Sequence, residues 1–381
     1  MMEGKNPFCF REIPVEAPFC NREKELAELA SFARGRANVV IYSPRRFGKT
    51  SLVKRVQKLL ADEGAVTLYA DFFGVTSVED VASRLARSVF SVTHGRKGLW
   101  KTALRTIKSF RPVLRPDHAS GVSLSVEISS EGKRGADLLE ETMVSLGEFA
   151  ASSKRPVQIS LDEFQEIVDL KDALRIEGVM RSHIQRHRCS YFFVGSRRRV
   201  LLGIFNSRQR PFFQSAVNYE LKPLPRDELV RFVADRFRES GKTCDMPQAE
   251  SIVAAVQGHP YYTQKLAFFV FENTRGRVEE EGVKAGFESL FTAEQPVFEA
   301  TLQGLAPKQV GLLKALAKER SASVFSMDYM RRNNLGSVGG VQGALKKLST
   351  LDLIEQDKNR RWSVVDPLFE LWLQGIRPAG G

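Results

Sequence analysis

One segment of the sequence combines the residue types and the spacing of a phosphate-binding loop. It is Ser43-Pro44-Arg45-Arg46-Phe47-Gly48-Lys49-Thr50, which matches the pattern G-x-x-x-x-G-K-S/T at every position but the first. In such a loop, backbone N–H groups and the start of the following helix surround the phosphates. Lys49 would reach the β- and γ-phosphate oxygens, and the Thr50 hydroxyl would bind Mg²⁺. The segment from Ser43 to Ser51 therefore predicts a site for ATP and Mg²⁺, with Lys49 also acting in catalysis.

The same tripeptide occurs a second time, in Gly241-Lys242-Thr243. This copy follows a predicted helix and precedes Cys-Asp-Met-Pro, so it lacks the strand that a phosphate loop requires before it. We interpret it as a glycine that ends a helix, with solvated neighbours.

A pair of acidic residues ends a strand farther along the chain. Val157 to Leu161 is an apolar run, and Asp162 and Glu163 follow it directly. At the carboxyl edge of a sheet, Asp162 would bind Mg²⁺ and Glu163 would activate the water that attacks the γ-phosphate. The alternative is that the two carboxylates cap the following helix, because acidic residues favour a helix start.

Ser196 follows a third apolar run, Tyr191 to Val194, after one glycine. If that strand lies between the strand of the phosphate loop and the strand of Asp162, Ser196 lies beside the phosphates and senses the γ-phosphate. An ordinary Gly-Ser turn is the alternative. The catalytic residues expected from the sequence are then Glu163, Asp162, Lys49 and Ser196.

The elements that must position these residues alternate between strand and helix. Five apolar or β-branched runs predict strands, and segments with helical periodicity separate them. The runs are Asn38 to Tyr42, Val66 to Ala70, Val157 to Leu161, Tyr191 to Val194 and Val217 to Leu221. Such alternation predicts an α/β fold with a doubly wound parallel sheet of the P-loop NTPase type. The long connection between the second and third runs predicts an insertion at about residues 91–135, with a hairpin strand over Val122 to Ile128.

The chain after Leu221 changes to helical periodicity. A compact bundle of four helices is predicted, within 225–240, 247–256, 261–272 and 279–291. From about residue 307, three helices and a two-stranded wing predict a winged helix. We therefore expect an N-terminal arm (1–17), a P-loop ATPase domain (18–222), a helical domain (223–300) and a winged-helix domain (301–381).

Composition and charge limit the class of protein. Of the 381 residues, 43% are hydrophobic and 27% are charged, as in globular domains, and no run of 18 apolar residues suggests a membrane span. The four cysteines are widely spaced and form no CxxC pair, so we expect a soluble protein of the reducing cytoplasm with no membrane partner. The net charge is +12, and the segments from Asp80 to Asp117 and from Glu177 to Glu220 contain Lys and Arg but no acid between their ends. A polyanionic partner is therefore expected.

With these motifs in place, the chain resembles the archaeal-type predicted ATPase family, a branch of the AAA+/STAND division of P-loop NTPases with bacterial members. The matching segments occur in order along nearly the whole chain: Phe19 to Leu26, Pro44 to Leu52, Asp162 to Ile167, Val194 to Ser196, Pro211 to Phe213, Gly258 to Tyr262 and Val365 to Phe369. The resemblance implies an ATPase core, a helical lid and a C-terminal winged helix. It also implies that Arg22 and Glu23 lie in the box that frames the adenine, and that His259 and Pro260 belong to the lid motif that closes on the bound nucleotide.

Two positions depart from the family pattern. Ser43 replaces the first glycine of the phosphate loop, and Asn21 replaces the glycine often found before the Arg-Glu pair. Neither change removes a side chain that contacts phosphate. The arginine finger is left open among five residues, Arg197, Arg198, Arg199, Arg208 and Arg210.

DNA is the first hypothesis for the partner of such an ATPase. Lys101, Arg105 and Lys108 recur at helical spacing. Beside them, Trp100, Leu104 and Ile107 form an apolar stripe, which predicts a helix with one basic and one buried face. Such a face could neutralise phosphates. On the winged helix, Lys346 and Lys347 would enter a groove, and Lys358, Arg360 and Arg361 would touch the DNA backbone. A solvated basic face is the alternative, and an anionic membrane surface ranks lower.

A signalling switch or scaffold is the second hypothesis. Here the winged helix docks on the nucleotide domain or on a protein partner, and ATP binding and turnover shift the arrangement. The predicted third helix contains Gly339, Gly340 and Gly343, which is unusual for a rigid DNA reader. Either hypothesis is compatible with a homo-oligomer that depends on nucleotide.

Overall fold

The structure of the chain is a computed structural model that describes residues 5–94, 101, 103–105, 107–117, 121–129, 134–357 and 359–375. The chain forms two compact units. One contains residues 14–222, and the other contains the segments before Pro14 and after Lys222. The phosphate loop, Asp162 and Ser196 all belong to the first unit.

The first unit alternates strands and helices. Its strands in the described residues are β1 (Val39–Tyr42), β2 (Val66–Asp71), β3 (Phe110–Asp117), β4 (Gly121–Ile128), β5 (Val157–Asp162), β6 (Ser190–Gly195) and β7 (Val217–Glu220). The helices are α1 (Glu23–Arg34), α2 (Lys49–Asp62), α3 (Val78–Thr93), α4 (Gly135–Ser152), α5 (Ala173–Ile184) and α6 (Arg198–Asn206), with a 3₁₀ helix over Phe164–Asp169. Five strands form one parallel sheet in the order β2-β5-β6-β1-β7.

Both faces of this sheet are buried, which explains the apolar character of its central strands. Successive residues of β1 point to opposite sides, so Val40 joins the core on one face while Val39 and Ile41 join the core on the other. The strands β1, β5 and β6 are buried along their whole length, as is typical of parallel strands covered by helices. The predicted doubly wound α/β sheet is confirmed.

The connection between β2 and β5 contains α3, the β3–β4 hairpin and α4. The hairpin is antiparallel, with Phe110 opposite Ile128. Phe110 and Val126 are buried in the same core as α3 and α4. The described part of this insertion is therefore packed on the domain.

The helix predicted from Lys101 to Lys108, with one basic and one buried face, is confirmed only in part by the described residues, because it ends before Lys108. Lys101 is helical, but Lys108 lies in the turn that leads into β3. Leu104 is 45% exposed, whereas Ile107 is buried. The helical repeat fails because the chain leaves the helix here to enter the hairpin. Trp100 lies outside the described residues.

The second unit contains a group of helices and the predicted winged helix, which is confirmed. The first helices are α7 (Arg226–Glu239), α8 (Met246–Ala255), α9 (Pro260–Asn273) and α10 (Glu280–Gln303). The winged helix contains α11 (Pro307–Lys318), α12 (Met327–Arg332), α13 (Val338–Thr350), β8 (Ile354–Gln356) and β9 (Trp362–Val364), followed by α14 (Pro367–Leu373). No helix in the described ranges has the length and apolar content needed to cross a bilayer.

Two helices of this unit differ from the prediction. α10 continues past its predicted end at Phe291 and contains Pro296, which costs about 3 kcal/mol inside a helix. Phe298 lies beyond that proline, and its ring stacks on Phe369 at 5.0 Å. Burial of such a ring contributes about 1.5–3 kcal/mol and offsets the cost. α14 was not predicted, and its first N–H groups are capped by the Asp366 side chain.

Candidate functional site

The phosphate loop joins β1 to α2 at the carboxyl edge of the sheet. α2 begins at Lys49, and Gly48 directly before it has φ 83°, a left-handed conformation that glycine adopts without steric cost. Arg46 is also left-handed, with φ 62°. Because the N–H groups of the first turn of α2 point toward this loop, the loop favours an anion.

The ammonium group of Lys49 lies within the loop. Its Nζ donates to the carbonyl oxygens of Ser43 at 3.1 Å and Pro44 at 2.9 Å. Only 6% of Lys49 is exposed. Ser43 is buried as well, which is consistent with a small residue at that position. A buried cation at the start of α2 can pair with a phosphate group.

Thr50 and Asp162, which come from distant parts of the sequence, are in direct contact. The Thr50 hydroxyl donates to Asp162 Oδ2 over 2.6 Å. The sheet order explains this contact, because only β6 separates β5 from β1 and all three strands end at one edge. Asp162 is the last residue of β5 and is 3% exposed. Together the hydroxyl and the carboxylate provide oxygen atoms of the kind that Mg²⁺ prefers.

Strand β2 adds two residues that the sequence analysis missed. The Tyr69 hydroxyl also donates to Asp162 Oδ2, at 2.6 Å. Asp71 is paired in register with Asp162. Burial raises the pKa of Asp71, and the charges of Asp162 and Glu163 raise it further, while a hydrogen bond from a backbone N–H opposes this. Neither residue belongs to a motif, and only the register between β2 and β5 brings them to the site.

Glu163 and Ser196 are also in contact. Glu163 has a left-handed backbone, φ 48°, and its side chain makes no cap bond to the following 3₁₀ helix. Instead, its Oε2 accepts a hydrogen bond from Ser196 Oγ at 3.0 Å. Ser196 directly follows β6, which lies between β5 and β1 as the γ-phosphate hypothesis requires. Gln165 donates to the same Oε2 atom and is a third residue that the sequence analysis missed.

Arg22 is held by contacts within the first unit. Arg22 and Asn21 both have left-handed backbones, with φ 87° and 55°. The Arg22 guanidinium pairs with Glu25 at 2.6 Å and donates to the carbonyl oxygen of Lys222 at 2.7 Å. These bonds fix the segment that precedes α1. The role of Arg22 at the adenine stays a prediction.

His259 and Pro260 belong to the second unit, where they begin α9. The His259 ring lies 5.0 Å from the Tyr262 ring. The Tyr262 hydroxyl donates to Asp366 Oδ2 at 2.6 Å, and Asp366 caps α14. The motif is thus tied to the last described helix of the chain, and its closure on a nucleotide stays a prediction.

The second Gly-Lys-Thr is structural, but the expectation that its lysine is solvated is wrong. Gly241 has φ 80° just after α7. Lys242 is 8% exposed, and its Nζ donates to the carbonyl oxygens of Phe271 at 2.7 Å and Thr274 at 2.5 Å. A cation here satisfies the last carbonyl groups of α9.

Two family models match this chain. A model of an ATPase domain predominantly from Archaea matches residues 19–266, and a model of a probable winged helix domain matches residues 296–375. The ATPase match covers more than half of the chain and includes Lys49, Asp162, Glu163 and Ser196. The chain belongs to this family of ATPases. No curated protein matches it in sequence.

Solved structures share the fold of this ATPase. A Walker-type ATPase of Pyrococcus abyssi has a TM-score of 0.71 at 15% identity, over 97% of this chain and 99% of that chain. The Aeropyrum pernix ORC2 protein, in its ADPNP–ADP complexes, has a TM-score of 0.59 at 16% identity, over 96% and 97% of the two chains. The Aeropyrum pernix ORC1 protein in complex with DNA has a TM-score of 0.53 at 16% identity, over 95% and 94%. These likenesses support a P-loop domain followed by helices and a winged helix.

Three of the five candidate arginine fingers of the ATPase pair with its own carboxylates, and Arg197 and Arg198 are the first two of them. Arg197 lies 2.6 Å from Asp169, and Arg198 lies 3.3 Å from Glu220. Arg208 is exposed in the segment between α6 and β7. The choice of finger stays a prediction.

A third candidate, Arg210, forms an ion pair with a buried carboxylate of the ATPase. Its guanidinium contacts Glu177 Oε1, and the Glu177 side chain is fully buried. Burial raises the pKa of Glu177 from 4.5 to about 7, and the positive charge of Arg210 opposes this rise. The contact gives Arg210 a structural role inside the first unit.

The residues predicted to contact nucleic acid are distributed over both units of the ATPase. The exposed ones are Lys101, Arg105 and Lys108 of the insertion, Lys346 and Lys347 of α13, and Arg360 and Arg361 beside the wing. Arg361 pairs with Asp357 at 3.1 Å, so Asp357 partly neutralises the positive charge that Arg361 presents to a partner. Lys358 lies outside the described residues.

Proposed function

We propose that this ATPase binds ATP with Mg²⁺ in the loop from Ser43 to Ser51, hydrolyses it with Asp162, Glu163 and Ser196, and uses its nucleotide state to control engagement of DNA. The contact between Thr50 and Asp162 carries this proposal. It joins the first turn after the phosphate loop to the acidic end of β5. The same pair of groups is needed to place a metal beside the β- and γ-phosphates.

The groups around Thr50 fit Mg²⁺. The described residues contain no cluster of three or more His, Cys, Asp and Glu side chains that could hold a metal ion. Mg²⁺ in nucleotide sites is held by one or two protein oxygens together with phosphates, so Thr50 and Asp162 are sufficient protein ligands. When bound, the ion neutralises charge on the phosphates.

Three side chains of the site would bind the phosphates, accept the proton of water and contact the γ-phosphate. Lys49 would leave the carbonyl groups of its own loop to bind the β- and γ-phosphates. Glu163 would take a proton from water as the water oxygen bonds to the γ-phosphorus and the bond to the bridging oxygen breaks, giving ADP and phosphate. Ser196, now bonded to Glu163, would turn its hydroxyl to the γ-phosphate.

Replacement of the base tests this assignment. We expect Glu163→Gln to bind ATP normally and to hydrolyse it about 100-fold or more slowly, because a general base is lost. Glu148→Gln removes an exposed carboxylate from α4 and is the matched control. Unchanged turnover in Glu163→Gln, measured by release of phosphate, would remove Glu163 from the mechanism.

Charge and exposure support DNA as the partner. Lys346 and Lys347 are exposed on α13, and α13 is the third helix of the winged helix, the helix that enters a groove in such domains. Arg360 is exposed beside the wing. The net charge of +12 favours a polyanion. The Aeropyrum pernix ORC1 protein, which shares the fold, was solved in complex with DNA.

A salt series tests this part of the proposal. We expect binding to unrelated DNA duplexes with ATP present, and an affinity that falls steeply as salt rises, because bound cations are released from the phosphates. Reversing both Lys346 and Lys347 to Glu should weaken binding. Lys314→Glu changes one exposed charge on α11 and should have a smaller effect. Absence of binding at low salt would contradict DNA engagement.

Exposed apolar side chains on the winged helix favour a protein contact as the second candidate function. Met327 is 68% exposed and Val338 is 49% exposed, at the first positions of α12 and α13. Gly339 and Gly343 have nothing within 4 Å of an added Cβ, so packing inside the chain does not require glycine there. A switch that docks on a protein would use this surface, and it would bind no duplex in the salt series.

A further inference from the structure

Gln165 is a buried residue of the 3₁₀ helix that follows Glu163. None of its surface is exposed. Its Nε2 donates to Glu163 Oε2 and lies 3.3 Å from Glu166 Oε1. Since carboxylates only accept hydrogen bonds, the NH₂ group of the amide and not its carbonyl oxygen must face these two residues. The orientation of the amide is therefore determined by its neighbours.

Gly195 contacts the other side of this amide. A Cβ at Gly195 would lie 2.0 Å from Gln165 Oε1 and 3.1 Å from Gln165 Cδ. A side chain at position 195 would therefore displace the amide. Gly195 is the last residue of β6, directly before Ser196, so the absence of a side chain there makes room for Gln165 at the site.

The two carboxylate oxygens of Glu163 have different surroundings. Oε2 accepts hydrogen bonds from both Gln165 and Ser196. Within the described part of the chain, Oε1 accepts none. The oxygen that is not engaged can accept a proton from water, whereas the other is held by two donors.

We propose that Gln165 is a positioning residue for hydrolysis, an inference that rests on the proposed function. It holds Oε2 of Glu163 so that Oε1 faces the attacking water. The water oxygen then bonds to the γ-phosphorus and its proton moves to Oε1, while the bond to the bridging oxygen breaks and its electron pair leaves with ADP. When Ser196 turns to the γ-phosphate, Gln165 still holds Glu163.

Removal of the amide donor tests the positioning role. Gln165→Leu keeps the size of the side chain, and we expect kcat to fall about 10–100-fold while the Kd for ATP stays within about 3-fold, because a small displacement of a catalytic group slows the chemical step. Gly195→Ala should have the same effect by displacing the amide. Adding Gly195→Ala to Gln165→Ala should slow hydrolysis no further, because no amide is left to displace.

A second buried glutamine of the first unit provides the control. Gln158 lies on β5, where its side chain bonds to Gln57 at 2.7 Å. Gln158→Leu should lower the melting temperature by loss of a buried hydrogen bond, with no specific fall in kcat. The comparison separates the loss of a buried amide from the loss of a contact to Glu163.

Single-turnover hydrolysis and ATP binding are measured for all variants beside Glu163→Gln. If Glu163→Gln is slow and Gln165→Leu is as fast as the wild type, the positioning role is wrong and the proposed base stands. If Glu163→Gln is fast, the proposed base is wrong and the positioning role fails with it. A parallel loss of ATP affinity and kcat in Gln165→Leu would assign the residue to structure alone. If Gln165→Leu does not fold, Gly195→Ala is judged by the same criteria.

Discussion

The Tyr69 hydroxyl lies 2.6 Å from Asp162 Oδ2, the oxygen that also accepts the hydrogen bond from Thr50. Asp162 is therefore held in one orientation by donors from two elements, α2 and β2. Partners that orient a metal-binding carboxylate typically contribute 10–100-fold to metal affinity. Tyr69 is thus the residue through which β2 would influence the proposed Mg²⁺ site.

We expect Tyr69→Phe to raise the Mg²⁺ concentration for half-maximal ATPase activity by about 10-fold, with a maximal rate close to that of the wild type at saturating Mg²⁺. A Mg²⁺ titration of phosphate release measures this. Tyr219→Phe is the matched control. Tyr219 lies on β7, outside the site, and its hydroxyl donates a hydrogen bond to Glu28 at 2.6 Å. An unchanged titration curve for Tyr69→Phe would show that Asp162 needs no support from β2.

The parts of the site that the sequence predicts are those fixed by local chemistry and by strand order. Gly48 and Lys49 occur in a strand–loop–helix context, so their conformations follow from the chain nearby. Asp162 and Ser196 each follow an apolar strand, and parallel strands bring such ends to one edge. These placements needed no knowledge of side-chain packing.

For the residues that were missed, the role in the site follows from the register between strands or from side-chain packing. Tyr69 has the character of any half-buried strand tyrosine until β2 is paired with β5. Gln165 acquires its role only because Gly195 leaves space for its amide. The prediction of a helix around Leu104 failed at its end for the opposite reason. The residues keep helical spacing up to Lys108, but the chain leaves the helix before Lys108 and enters the hairpin.

The two Gly-Lys-Thr segments provide an internally matched pair of variants. Lys49 lies in the phosphate loop, whereas Lys242 donates to two carbonyl groups at the end of α9. We expect Lys49→Ala to abolish ATP binding or nearly so, because the cation that contacts the phosphates is lost. Lys242→Ala should keep ATP affinity and lower the free energy of unfolding by about 1–3 kcal/mol, because buried carbonyl groups lose their donor.

Equilibrium binding of a fluorescent ATP analogue and urea unfolding measure both effects. ATP affinity close to that of the wild type in Lys49→Ala would move the nucleotide site away from this loop. Loss of ATP binding in a folded Lys242→Ala protein would give the second segment a function that its contacts do not suggest.

Arg55 lies on α2, the helix that follows the phosphate loop, and contacts the segment from Pro14 to Phe19, which precedes Arg22. Its guanidinium donates to the carbonyl oxygens of Pro14, Val15 and Ala17 at 2.6–2.8 Å. It also lies 4.4 Å from the centre of the Phe19 ring. Arg55→Ala removes all these contacts at once, so we expect a lower melting temperature and an ATP affinity weaker by about 10-fold, or about 1.4 kcal/mol.

Lys58→Ala is the control on the same helix, because Lys58 pairs with the exposed Asp62 and such pairs contribute about 0.3–0.5 kcal/mol. The rise in melting temperature on adding ATP measures nucleotide binding in both variants. An equal rise in Arg55→Ala and the wild type would show that the segment from Pro14 to Phe19 does not support nucleotide binding.

The pair of Arg210 and buried Glu177 separates a structural role from that of an arginine finger. Arg210→Ala leaves a buried carboxylate without its partner, which costs about 3–5 kcal/mol. Burial already raises the pKa of Glu177 to about 7, above its ordinary 4.5, so its ionisation opposes folding as pH rises through this range. We therefore expect Arg210→Ala to be strongly destabilised at pH 8.5 and much less at pH 5, where Glu177 is protonated in the folded protein.

Adding Glu177→Gln to Arg210→Ala should remove most of this pH dependence. Urea unfolding at the two pH values measures it, and a variant that keeps full stability at pH 8.5 but loses ATPase activity would instead favour a finger.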